Sequence, residues 1–103
     1  MSHSSLTSFG TVTSASPVAV VDINGRRGVT VAVFPGSGSN VLVEGSTTID
    51  AANRSDANWV PWSEGVAGVV TTKTASTFYG SLSAVRITLS AGTSASAYEV
   101  TAI

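Results

Sequence analysis

Short runs in which apolar and polar residues alternate recur along this chain at spacings of about ten residues, separated by Gly, Pro, Asn and Ser. Residues 18–23 (VAVVDI) form the first clear apolar run, and Asn24-Gly25 after it is a hairpin signal, because both residues tolerate positive φ. Residues 29–34 (VTVAVF) alternate, with Val29, Val31 and Val33 on one face. Pro35-Gly36-Ser37-Gly38 reads as a turn, and 41–44 (VLVE) resume the alternation. A polar loop from Gly45 to Asn58 leads to Trp59-Val60-Pro61-Trp62, a short strand. Pro61 has no N–H for a ladder, so that strand belongs at an edge or a bulge. Residues 66–74 read as another strand, and Phe78-Tyr79-Gly80 precede a turn. Residues 84–90 (AVRITLS) place Val85, Ile87 and Leu89 inward and Arg86 and Thr88 outward. Ala91-Gly92-Thr93 is the last turn, and 95–102 close the fold.

This pattern predicts seven or eight short strands and no helix. The expected fold is all-β, a single antiparallel β-sandwich, jelly-roll-like or immunoglobulin-like. Alternation leaves those two topologies open. The expected core is Val20, Val31, Val33, Val41, Val43, Val85, Ile87, Leu89 and Val100. Residues 1–16 are rich in Ser and Thr, with Leu6, Phe9 and Val12 at a three-residue spacing. They read as an N-terminal arm, held in place by a neighbouring subunit, ahead of a sandwich domain at 17–103.

Composition sharpens this picture. The chain of 103 residues is 43% hydrophobic but only 11% charged, under half of the quarter usual for soluble domains. So little surface charge points to a surface that is covered in an assembly. The net charge is −1, and Arg26-Arg27 is the only adjacent pair of cations. Nucleic-acid binding needs clustered cations, so it is not expected. No apolar run reaches transmembrane length, and the N-terminus has neither the basic nor the apolar region of a secretion signal. No membrane partner is expected. With no Cys, there is no disulfide framework and no thiolate metal site.

Candidate chemistry is sparse. The single His is His3, and no GxSxG motif is present, so a hydrolase triad lacks its base and its elbow. Asp22, Glu44, Asp50, Asp56, Glu64 and Glu99 include no pair marked for acid–base work. Asp50, Asn53, Asp56 and Asn58 crowd one loop, but not at EF-hand spacing; Asx-turn chemistry accounts for them. No catalytic residue, cofactor or metal site is expected, and the chain does not read as an enzyme. The aromatics remain. Trp59 and Trp62 should point to opposite faces of their strand, one to the core and the other to a partner or a sugar. Leu6, Phe9, Trp59, Trp62 and Tyr79 are the expected interface residues.

Two stretches carry a resemblance. They are VLVEGSTTIDAANRSDANWVPW and FYGSLSAVRITLSAGTSASAYEVTA. Their layout of strands, Gly turns and aromatics, over residues 28–102, resembles small tailed-bacteriophage virion proteins built as β-sandwiches, of the capsid-decoration, head or tail kind. The resemblance implies a structural protein made in the bacterial host cytoplasm and residing in the virion. Its implied role is to clamp and stabilise the capsid shell. The implied partners are the major capsid protein or other virion subunits, and copies of itself, with a trimer favoured. A tail, neck or fibre component is the alternative within this class, and a carbohydrate-binding module the alternative outside it.

Overall fold

The computed structural model describes residues 6–23, 26, 28–62, 68–78 and 82–103. Nine strands are defined among them: β1 (Leu6–Val12), β2 (Val18–Asp22), β3 (Val29–Phe34), β4 (Asn40–Ser46), β5 (Val60–Pro61), β6 (Val69–Val70), β7 (Thr74–Phe78), β8 (Ala84–Ala91) and β9 (Ser96–Ala102). A single 3-10 turn, Ala51–Asn53, interrupts the long loop after β4.

The strands form two antiparallel sheets. One has the order β1-β9-β3-β7; the other is β2-β8-β4-β5, with β6 also on β4. The pairings are nested. β1 pairs with β9, β2 with β8, β3 with β7, and β4 with β5. A long antiparallel ribbon wrapped on itself in this way, closed by β3–β9 and β4–β8, is a jelly roll. The topology left open by the alternation is thereby settled.

The alternation builds the core. In β3, Val29, Val31 and Val33 are buried while Thr30, Ala32 and Phe34 face outward. Val41, Val43, Val85, Ile87, Leu89 and Val100 join them, with Val12, Val21, Ile23, Trp62 and Val70. Val20 does not. It lies on the outer face, 43% exposed, because the other parity buries Val21 and Ile23 and leaves Asp22 in water. Burying Val20 would bury the Asp22 carboxylate with it, at a cost that an extra valine does not offset.

Four further expectations change. Leu6–Val12 is no arm: it is the outermost strand of the four-stranded sheet, in register with β9 from Leu6↔Ala102 to Val12↔Ser96. The domain itself holds this segment. Gly10 makes room there, since a Cβ at that position would sit 2.8 Å from the Tyr98 hydroxyl. The Tyr98 ring thus lies across the edge strand and covers its glycine. Second, β2 and β3 lie in different sheets, so the segment between them is a crossover and no hairpin. Asn24 and Gly25 themselves lie outside the described residues. Third, the strand expected at 66–74 is two strands, β6 on one sheet and β7 on the other. Residues 66 and 67 lie outside the described residues. Fourth, this split and the early β1 bring the strands among the described residues to nine. The expected edge position of Pro61 is found: β5 closes the five-stranded sheet.

Candidate contact surface

The outer faces of the two sheets differ in what covers them. On the five-stranded sheet, Val20, Arg86, Glu44 and Pro61 form a row across β2, β8, β4 and β5. Arg86 donates to Glu44 through Nε at 2.9 Å and Nη2 at 2.8 Å. The Trp59 ring lies over the guanidinium, 4.5 Å from its carbon to the ring centroid. The loop after β4 folds back so that Ala51 is buried near β2. The chain's own Trp59 thus covers part of this face at Arg86, while Val18 and Val20 on β2 remain exposed.

That loop also uses its own polar groups. Asp50 adopts a left-handed conformation (φ 59°) and accepts a 2.8 Å hydrogen bond from Asn53 Nδ2. Arg54 donates to both oxygens of Asp56 at 2.9 Å and to the Ile49 carbonyl at 3.2 Å. The hydrogen bond and charge of Arg54 hold the Asp56 carboxyl below its ordinary pKa, and Asp56 in turn raises that of Arg54. These are the local Asx and arginine contacts of a self-supporting loop. Among the described residues, no group of three His, Cys, Asp or Glu side chains is placed to hold a metal ion.

The four-stranded sheet has nothing over it among the described residues. Its outer face consists of three rows. Thr11, Ala97 and Phe34 form the first. Phe9, Glu99, Ala32 and Ala75 form the second. Thr7, Thr101, Thr30 and Thr77 form the third, with the hydroxyls of Thr30 and Thr77 3.0 Å apart. Among the described residues, Glu99 is the one charged side chain within these three rows, and Lys73 lies at their rim, directly before β7. Phe9 is 75% exposed and Phe34 36% exposed. Between them lies an open depression of about 290 Å³, with Ala97, Thr11 and Glu99 among its lining residues. Two phenylalanines over alanines and threonines make a flat, nearly uncharged surface. Such a surface has the makeup of an interface centre: aromatic, and depleted of charge.

The expected interface residues scatter. Phe9 stands on this face. Leu6 is half-buried against the core, and Trp59 is half-buried over Arg86. Trp62 is buried in the domain's own core, 2% exposed, its ring 5.9 Å from that of Phe78. It is therefore a core residue and takes no part in a contact surface. Trp59 and Trp62 do divide between surface and core as their strand parity requires. Tyr79, His3 and Glu64 lie outside the described residues. Trp62 is enclosed and has no face open for stacking on a sugar. Phe34, the partner of Phe9 on the open face, was absent from the expected set. Its signal was present: if Val29, Val31 and Val33 point inward, Phe34 points outward.

A second depression, of about 240 Å³, lies at the end of the sandwich between Val60, Pro61, Phe78 and Leu82. Gly45 and Thr47 complete its lining among the described residues, which is mostly apolar and includes no carboxylate or imidazole.

No protein-family model matches the sequence, and no curated protein matches it. Solved structures do match the fold. The core of Drosophila NLP, described for pentamer formation and histone binding, aligns with a TM-score of 0.51 at 19% identity, covering 91% of this chain and 93% of that one. The Yersinia pseudotuberculosis-derived mitogen aligns with a TM-score of 0.51 at 13% identity, covering 97% of this chain and 86% of that one. At such identities the likeness shows a shared fold, a two-sheet β-sandwich, and nothing about activity.

Proposed function

We propose that this chain is a structural virion protein of the capsid-decoration kind. It acts by laying the outer face of its four-stranded sheet against other subunits. The observation that carries this reading is the exposed surface around Phe9 and Phe34, in whose rows Glu99 is the one charge among the described residues. A soluble chain that keeps such a face open and spends so few charges elsewhere is suited to being covered. Burial of this face and its rim across a contact of about 1,200–2,000 Å² gives a stable association without catalysis. Pentamer formation by the NLP core supports the reading in one respect only: a chain of similar fold assembles into a pentamer. Histone binding is not carried over, because at 19% identity the likeness is one of fold alone.

The test is density-gradient banding of virus particles from bacteria that express the gene. The chain is expected in the particle band. Phe9→Ser combined with Phe34→Ser removes two central aromatic contacts, worth on the order of a 100-fold loss of affinity. This variant should stay in the soluble fractions while still melting cooperatively, with a Tm lowered by about 10 °C or less, because Phe34, 36% exposed, gives up some buried area. Absence of the parent chain from particles, or equal banding of parent and variant, overturns the proposal.

A further inference from the structure

We propose that two copies of this chain pair edge to edge through β1, antiparallel and centred on Phe9. The inference rests on the reading that the chain assembles, and it names one partner: a second copy.

A terminal strand presents unpaired N–H and C=O groups, and soluble proteins guard them with charge, proline, bulges or shortness. β2 carries Asp22, and β5 and β6, which share the free side of β4, are two residues long, β5 with Pro61. β7 is five residues long, with Lys73 directly before it. β1 has none of these. It is seven residues long, reads Leu-Thr-Ser-Phe-Gly-Thr-Val, and keeps an unbroken register with β9. Its other side has no strand partner among the described residues.

The strand is also self-complementary. Phe9 is its central residue. A two-fold axis at Phe9 sets Leu6 opposite Val12, Thr7 opposite Thr11 and Ser8 opposite Gly10. Phe9 then faces its own copy. Residues directly opposite in an antiparallel pair share a face. Here the aliphatic Leu6 and Val12 meet on the core side, and the threonines and phenylalanines meet on the outer side. No charge opposes a charge. The contact is isologous and closes on itself, so it forms a discrete pair. It joins two four-stranded sheets into one of eight strands. The two Phe9 rings become the centre of a continuous outer face, with Phe34 of each copy flanking them. A two-fold contact builds dimers or even-numbered assemblies, where the virion resemblance implies a trimer.

The chain has no Cys, so an introduced thiol is the only one present. Directly opposite residues in an antiparallel pair have Cα atoms about 4.5–5.5 Å apart, within disulfide reach. Full-length Thr7→Cys and Thr11→Cys chains are mixed and treated with oxidised glutathione. The mixture should give a covalent dimer on a denaturing gel, while either variant alone stays monomeric. A charge exchange checks the same axis without a disulfide. Phe9→Lys and Phe9→Glu should each sediment at the 10.3 kDa monomer mass, and together at twice that mass. No cross-link in the mixture, or cross-links of each variant with itself in equal yield, overturns the pairing. If the parent chain still bands with particles in that case, the assembly reading stands and only this partner falls.

Discussion

Trp62→Ala should lower the stability of this domain by about 3–5 kcal/mol, the largest loss expected from any single truncation here. The ring is 2% exposed and packs against Phe78 at the edge of the core. It sits where β5 and β6 are each only two residues long, so little backbone pairing remains to hold the region once the ring is gone. A domain of this size has about 5–15 kcal/mol in total. The melting temperature, followed by circular dichroism, should therefore fall by about 15 °C or more. Trp62→Phe refills part of the space and should cost about 1–2 kcal/mol. An unchanged melting temperature in Trp62→Ala would mean that the ring serves a contact outside the domain after all.

Gly92→Ala should cost nearly as much, for a different reason. Gly92 has φ +84°, which side chains rarely adopt, and a Cβ there would sit 2.5 Å from the Gly38 carbonyl oxygen and 2.6 Å from Ser39 Oγ. Those atoms belong to a hydrogen-bonded junction between the β3–β4 and β8–β9 turns. Ser39 Oγ donates to the Ser94 carbonyl and accepts from the Ser94 N–H, both at 3.0 Å. Ser94 Oγ donates to the Ser37 carbonyl at 2.8 Å, and the Gly36 N–H donates to Ser96 Oγ at 2.9 Å. Ser39 and Ser96 are buried, so a shift that breaks these bonds leaves polar groups unsatisfied. Backbone strain and forced displacement together come to about 3–4 kcal/mol. Urea denaturation should show this as a lower midpoint with an unchanged slope. Gly38→Ala is the control: its φ is also positive, at +74°, but nothing lies near its Cβ. It should cost only about 1 kcal/mol of strain.

The two changes show which parts of the molecule a linear reading reaches. β3 and β8 alternate without ambiguity, and their inward residues follow from parity alone. β2 does not, because Val18, Val20 and Val21 offer apolar residues to both faces; the carboxylate of Asp22 decides between them. Asn24-Gly25 carries a strong local hairpin preference, yet β2 and β3, the strands before and after it, lie in different sheets. The nested pairing that requires this joins strands at opposite ends of the sequence, as with β1 and β9, and no local pattern encodes it. The same holds for the open face. Phe9 was legible as an exposed aromatic, and Phe34 was legible by parity. That the two flank one depression follows only from β9 lying between β1 and β3. Trp62 was ambiguous because a short edge strand beside a proline gives no long alternation against which to read it.

Hydroxyl-radical footprinting of the particle-bound and free chain tests most directly whether the Phe9–Phe34 face is a contact surface. Ile49 is 81% exposed and lies away from that face, so it serves as an internal reference. Oxidation of Phe9 and Phe34 should fall severalfold in the bound state relative to Ile49. Equal labelling of both phenylalanines in the free and bound chain would contradict the account.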